Sequence, residues 1–217
     1  MLAHESRTTS AWRPARRVIG GVLLAALCMC AVAAPAGAAK KPKAYTVKAT
    51  SGALTITFTA PVWASLNSST GTTVGKSAAA VTPATATSAG ALSFPVTGGS
   101  LNSVSGRGSV SAAGGLAIES HLSFGGLFTS SSSSSVSDPV ASFGATSKIT
   151  FSSPNLIPST GVSLLRLNTF HMKVAGGRHA VSLTRIPAKL TAAGALFLGP
   201  GFAAGEQVGS VTIQIKG

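Results

Sequence analysis

The sequence predicts an all-β domain, mainly an antiparallel β-sandwich or open barrel, with one or two short helices. Three observations lead to this fold class. Apolar side chains recur at every second residue in several segments, as in strands with one buried face. Paired glycines separate these segments, as expected of tight turns. Hydrophobic residues make up 45% of the chain and charged residues 10%, which excludes the polar composition of a disordered protein.

The first 39 residues have the composition of a secretory signal peptide. An apolar run over residues 18–34 and a small-residue stretch at residues 36–39 follow four arginines: Arg7, Arg13, Arg16 and Arg17. This order favours cleavage after Ala38 or Ala39. An uncleaved membrane anchor is the alternative, although about seventeen apolar residues are short for a span. We therefore expect a secreted, envelope-associated extracellular protein with one β-rich domain over residues 40–217.

The strands and helices are predicted from local patterns. Period-two alternation predicts strands around residues 54–58, 92–96, 116–124 and 211–215. Short helices are expected at residues 61–66, which Pro61 opens, and at residues 191–198, which Gly199 and Pro200 end. The serine-rich residues 130–137 show no apolar periodicity and predict a flexible loop.

The segment from Asn168 to Thr184 predicts a hairpin. A two-residue turn at residues 176–177 would pair Val174 with His179 and place both on one apolar face. On that face His179 is expected to be a buried, hydrogen-bonded imidazole.

Cysteines and acids are too few for most catalytic or metal sites. Both cysteines, Cys28 and Cys30, lie in the apolar run, so the mature chain is expected to have neither a disulfide nor a thiolate metal site. The acids after residue 39 are Glu119, Asp138 and Glu206. Glu119 and His121 share the polar side of one predicted strand and are expected to form a surface pair. We expect no metal site, no catalytic residue and no enzyme activity.

The net charge of the chain is +13, and its cations are mostly scattered. Scattered cations with few anions suit an anionic cell-wall polymer or an anionic membrane surface as partner. Nucleic acid is not expected as a partner, because the sequence has no dense basic helix and no aromatic residues interleaved with its arginines and lysines. A structural or adhesive surface protein attracted to wall polymer is the alternative to a ligand-binding function.

Several short motifs resemble the secreted actinobacterial HtaA-type domain. In the first half of the domain the similar segments are LSFPVTGGSL at residues 92–101, GSV at 108–110 and GGL at 114–116. Near the end they are LTAAGA at residues 190–195, Phe202, Gly205, and GSV at 209–211. The resemblance covers most of residues 45–217 and implies a β-rich, noncatalytic binding domain that is secreted or lies on the cell surface.

The resemblance also implies haem as the candidate cofactor. Some members of the family bind haem through a tyrosine near the start of the domain and a supporting histidine. In this chain the corresponding helix, near residues 61–69, contains Trp63 and no tyrosine, and the histidine position is Ala112. Tyr45 and His179 are the substitute haem ligands that we predict. Without haem, we expect Tyr45 to pack at the start of the first mature strand and Trp63 to lie in the core.

Overall fold

The computed structural model describes residues 41–70, 74–124, 128–153 and 161–217. The predicted signal peptide, residues 1–39, lies outside these residues. Within them the chain forms fourteen strands and two helices. In this part of the chain, no helix has the length and apolar character needed to cross a membrane.

The elements follow one another with few long connections. In chain order they are β1 Thr46–Lys48, β2 Ser51–Phe58, α1 Ala60–Leu66, β3 Ser69–Thr70, β4 Val74–Val81, β5 Thr85–Ala86, β6 Ala91–Asn102, β7 Gly108–Ala112, β8 Gly115–Phe124, β9 Phe128–Phe143, β10 Lys148–Ser152, β11 Val162–Leu167, β12 Lys173–Gly176, β13 Ala180–Leu190, α2 Ala192–Leu198 and β14 Gln207–Lys216. The all-β class, the four predicted strands and both predicted helices are confirmed.

Eight strands close into an antiparallel barrel. Their order is β6-β2-β14-β13-β11-β10-β9-β7, and β7 pairs with both β9 and β6. A sandwich and an open barrel were both compatible with the sequence, and this double pairing of β7 completes the ring. The remaining strands extend the barrel wall: β1 and β5 pair with β6, β12 pairs with β13, and β8, β4 and β3 continue outward from β9.

One apolar core fills the barrel. Alternate residues of β2, β6 and β14 point inward and are buried: Leu54, Ile56, Phe58, Leu92, Phe94, Val96, Val211, Ile213 and Ile215. The side chains between these residues are half-buried or exposed, as the period-two pattern requires. The predicted strand faces are therefore confirmed for these three elements.

Strand β13 keeps its apolar side inward through a β-bulge. Leu183 lies opposite Ile213 in β14, and Ile186 lies opposite Val211, so β13 has one extra residue between the two pairs. The extra length is taken up around Arg185, which has φ of 58°. The buried parity changes from odd to even residue numbers at this point. Without the bulge, the second half of β13 would turn its apolar side outward.

The prediction of a flexible serine loop is wrong. Residues 130–135 belong to strand β9 and pair with β8, with Ser131 opposite His121 and Ser133 opposite Glu119. The serine side chains are exposed or half-buried, because this part of the β8–β9 ribbon projects beyond the barrel. A strand with no buried side chains needs no apolar periodicity, so its sequence resembles that of a loop.

The predicted hairpin exists, but its predicted register is wrong. Val174 pairs with Leu183 and Gly176 pairs with Val181. Gly177 donates a backbone hydrogen bond to the carbonyl oxygen of Ala180 at 2.9 Å, which makes Arg178 and His179 the turn residues. His179 is therefore exposed in the turn and does not lie on an apolar face.

Candidate ligand-binding cleft beside the two helices

Helix α1 begins directly after strand β2, and its apolar residues fix it on the barrel. Pro61 lies in the first turn, where its fixed φ suits a helix and its missing N–H costs no hydrogen bond. Val62 and Leu66, four residues apart, are buried. Trp63 stacks on Phe58 with ring centroids 6.0 Å apart. Trp63 thus packs against the core as predicted, although its ring is only half-buried.

Helix α2 is held at its start by Thr191. The Thr191 hydroxyl accepts a hydrogen bond from the backbone N–H of Gly194 at 3.0 Å, and donates one to the carbonyl oxygen of Ser163 in β11 at 2.6 Å. Gly194 lies so close to β11 that an added Cβ would overlap the carbonyl oxygen of Leu164. The cap and the missing side chain together place α2 directly against β11.

Lys76 connects strand β4 to the end of α2. Its Nζ donates hydrogen bonds to the carbonyl oxygens of Leu198 at 3.2 Å and Pro200 at 3.0 Å. The same Nζ lies 5.6 Å from the centre of the Phe202 ring. A cation at this position satisfies carbonyls that have no partner within the helix. Strand β4 is also tied to α1, because Asn67 Oδ1 accepts a hydrogen bond from a β4 backbone N–H at 3.1 Å.

These contacts leave a cleft between α1, β4 and the connection after α2, which we call the helix cleft. Its volume is about 620 Å³, and it is lined by Ala64, Ser65, Ser68, Lys76, Pro200, Gly201 and Phe202. Sites for small molecules measure about 300–1,000 Å³. The helix cleft therefore has a suitable size, with one cation and one half-buried aromatic ring in its wall.

The interior of the barrel offers much less room. The apolar cavity lined by Phe94, Phe151, Leu198 and their neighbours measures about 20 Å³. Such a volume admits about one water-sized probe. This cavity is therefore too small for an organic ligand of ordinary size, whereas the helix cleft outside the barrel wall is not.

The helix cleft does not fit the iron coordination that the resemblance implies. Helix α1 has Trp63 and no tyrosine, and Ala112 is buried at the end of β7. None of the described residues that line the cleft is a tyrosine, histidine, cysteine or methionine, which are the usual axial ligands of haem iron. Across the described ranges, no group of three or more histidines, cysteines or acids is placed to hold a metal ion.

Tyr45 lies at the opposite end of the barrel from the helix cleft. Its backbone N–H donates to Ser103 Oγ at 2.9 Å, and its carbonyl oxygen accepts from the Ser103 N–H at 2.8 Å. Ser103 lies just after the end of β6, whereas Gly90, just before the start of β6, lies against Trp63 of α1. The twelve residues of β6 between these two points span up to about 40 Å of extended chain. Tyr45 is half-buried just before β1, with Lys43 Nζ 5.5 Å from the ring centre.

His179 lies at the same end of the barrel as Tyr45. Its carbonyl oxygen accepts a hydrogen bond from the backbone N–H of Gly217 at 2.9 Å. Gly217 follows Lys216, which pairs with Ser51 at the start of β2, whereas α1 follows the other end of β2. Iron ligation by Tyr45 and His179 stays a prediction, and it concerns a surface remote from the helix cleft.

Glu119 and His121 form the surface pair that the sequence predicts. His121 Nε2 lies 3.7 Å from Glu119 Oε2, and the two side chains are 60% and 57% exposed. Strand β8 places them two residues apart on one face. An exposed pair of this kind contributes little to stability.

Sequence reasoning missed Lys76 and Phe202. Phe202 belongs to the segments that carry the family resemblance, but nothing in the sequence places it beside Lys76, whose hydrogen bonds reach residues 122 and 124 positions further along the chain. Contacts over such separations depend on the order of the strands in the sheet. The visible signal is the aromatic residue after Gly199, Pro200 and Gly201, which a turn would leave near the protein surface.

Comparisons with known proteins place this arrangement in a family. The family model for HtaA matches residues 61–214, which is most of the chain. None of the curated proteins compared matches the sequence.

Solved structures of two domains have similar folds, and a third structure is a weaker match. The C-terminal domain of HtaA from Corynebacterium glutamicum is 12% identical, with a TM-score of 0.56 over 78% of this chain and 98% of that domain. The N-terminal domain of the same protein is 16% identical, with a TM-score of 0.50 over 77% of this chain and 97% of that domain. The haem-binding protein HtaB from the same organism is 15% identical, with a TM-score of 0.46 over 80% and 96%. At these identities the first two comparisons establish the fold.

Proposed function

Because the chain belongs to the HtaA family, we propose that it is a secreted, noncatalytic binding module at the cell envelope, with haem as its ligand. The observation that supports this proposal most directly is the helix cleft, about 620 Å³ in volume, outside a barrel that is filled by its own side chains. Helix α1 is joined to β4 by the Asn67 hydrogen bond, and the connection after α2 is joined to β4 by the hydrogen bond of Lys76 to Pro200. A cleft of this size is suited to binding a small molecule.

The lining of the helix cleft suits a flat, apolar ligand with carboxylates. The half-buried ring of Phe202 offers a surface for stacking against a porphyrin. Lys76 is half-buried beside that ring and would attract a propionate carboxylate. Because the cleft lacks an iron ligand, the proposed contacts are with the porphyrin ring and its carboxylates, and no step involves the iron.

This mode of binding is tested by titrating the protein with hemin and with iron-free protoporphyrin IX. Both are expected to bind with similar affinity, because the proposed contacts do not involve iron. Phe202→Ala should weaken both by about tenfold. Val104→Ala is the control, because Val104 is an exposed apolar residue that does not line the cleft, and it should leave both affinities unchanged.

Two results would contradict the proposal. Failure of both porphyrins to bind would remove haem as the ligand. Binding of hemin alone, lost in Tyr45→Phe or His179→Ala, would instead establish iron ligation at the far end of the barrel. Circular dichroism of each variant separates loss of binding from loss of folding.

A further inference from the structure

Three cations lie side by side on the outer wall of the barrel. In the register of the sheet, Lys148 of β10 is directly opposite Arg166 of β11, and Arg166 is directly opposite Lys189 of β13. Residues that are directly opposite in an antiparallel sheet point to the same face. All three are exposed, while the residues that follow or precede them, such as Ile149 and Leu165, are buried. We call these three residues the cationic row.

Like charges at directly opposite positions destabilise a sheet, so the cationic row needs compensation. The acids of the described residues have other partners. Glu119 pairs with His121, Asp138 accepts a hydrogen bond from Ser137, and Glu206 accepts one from the backbone of Ala203. Within the described ranges, no ion pair joins a carboxylate to the row. A bound anion would therefore relieve the repulsion.

The row continues around the barrel as a polar band. Ser142 lies opposite Lys148, and the band then crosses β7, β6 and β1 through residues that are successively opposite: Ser109, Ser100 and Lys48. With neighbouring strands about 4.8 Å apart, the path from Lys48 to Lys189 measures about 29 Å along the wall. Hydroxyl donors and cations at regular spacing suit an extended ligand with repeated anionic groups.

A groove adjoins one end of the row. It has a volume of about 870 Å³, and Arg166, Lys189, Thr146, Asn168 and Phe170 are among its lining residues. The Phe170 side chain is 85% exposed. The Phe170 ring meets the His171 ring edge to face, with ring centroids 4.7 Å apart, and most of its surface remains open next to two cations. The groove therefore combines anion recognition with a stacking surface for a ring.

We propose that the cationic row and its groove bind an anionic cell-wall polymer whose repeating units contain phosphodiesters. The phosphates would contact Lys148, Arg166 and Lys189, and a sugar or polyol unit would lie against Phe170. The charge complementarity is direct, because the guanidinium of Arg166 can bind a phosphate through two hydrogen bonds. This site is separate from the helix cleft and rests on the proposed function only for the envelope location.

The test measures binding of the full chain to poly(glycerol phosphate) at several salt concentrations. The triple variant Lys148→Gln, Arg166→Gln, Lys189→Gln should lose about tenfold in affinity near physiological salt and show a weaker salt dependence. The matched control removes three other exposed cations, Lys173, Arg178 and Lys216, and thus the same total charge. This control should retain most of the affinity. Phe170→Ala should also weaken binding, whereas Phe202→Ala should not.

Three results would overturn the inference. Equal losses of affinity in the two triple variants would show that binding depends on net charge alone and not on the cationic row. Absence of binding in the unsubstituted protein would remove the polymer as a partner. Equal or tighter binding of single-stranded DNA through the same row would identify the surface as a nucleic-acid site. Because porphyrin binding uses other residues, it should remain unchanged in both triple variants, so failure here is distinguishable from failure of the cleft proposal.

Discussion

At the scale of single residues, Thr191 shows how one side chain can fix both a helix and its position. Its hydroxyl caps the first turn of α2 and also bonds to β11, so its loss would affect two elements at once. Thr191 follows strand β13 directly. The sequence predicted a helix there, but not the hydrogen bond to Ser163, because that partner lies 28 residues away.

Thr191→Ala is expected to lower the free energy of unfolding by about 1–2 kcal/mol, because an N-cap and a hydrogen bond are both lost. Thr191→Ser keeps the hydroxyl and should recover most of that loss. Urea denaturation followed by circular dichroism measures both variants. Equal stability of Thr191→Ala and the unsubstituted protein would show that the cap contributes nothing.

At the scale of elements, the bulge in β13 explains which strand predictions succeeded. Apolar and polar residues alternate without interruption over residues 54–58 of β2 and 211–215 of β14. The inward-facing residues Leu54, Ile56, Ile213 and Ile215 could therefore be assigned from the sequence. In β13 the parity changes at Arg185, and a period-two pattern cannot be followed across such a change. The turn of the β12–β13 hairpin was likewise predicted two residues too early. Paired glycines favour a tight turn at residues 176–177, whereas the turn residues are Arg178 and His179.

Substitutions at Arg185 should distinguish the bulge from an ordinary strand position. Its positive φ costs roughly 1–2 kcal/mol for a residue with a side chain. Arg185→Gly is therefore expected to raise the free energy of unfolding by up to about 1 kcal/mol, after the entropic cost of glycine is deducted. Arg185→Val should lower it, because a β-branched residue tolerates this backbone conformation poorly. Chemical denaturation of the pair checks the order, and a valine variant more stable than the glycine variant would contradict it.

The candidate site was less predictable than the strands. The sequence directed attention to Tyr45 and His179, whereas the helix cleft depends on Lys76 and Phe202. The cleft lies where β4, which pairs with the outer side of β8, is joined to the end of α2 and to the end of α1 by the hydrogen bonds of Lys76 and Asn67. Such contacts follow from sheet topology, which alternation within single strands does not encode.

At the scale of the whole molecule, closure of the barrel joins all eight of its strands around one core. Strand β14 lies between β2 and β13, so its inward side chains contact both sides of the ring. Unfolding is expected to be a single cooperative transition, since the buried apolar residues in the described part of the barrel form one core.

Ile213→Ala should therefore destabilise the entire domain. Ile213 is completely buried, and removing such a side chain costs about 2–5 kcal/mol. Gln214→Ala, on the exposed side of the same strand, should change stability by less than about 0.5 kcal/mol. Far-UV and near-UV circular dichroism should report the same midpoint for each protein. Two separate transitions would show that the ring does not unfold as one unit.

The filled interior has a consequence for kinetics. In proteins that enclose their cargo, release waits for a gate or for partial unfolding, and its rate then depends on the dynamics of the scaffold. Here the barrel leaves a cavity of only about 20 Å³, so a ligand in the helix cleft would lie outside the barrel, and no strand pair would have to separate before it leaves. Its residence time would then be set by its contacts in the cleft alone, and an acceptor protein could collect it by docking directly over the occupied cleft.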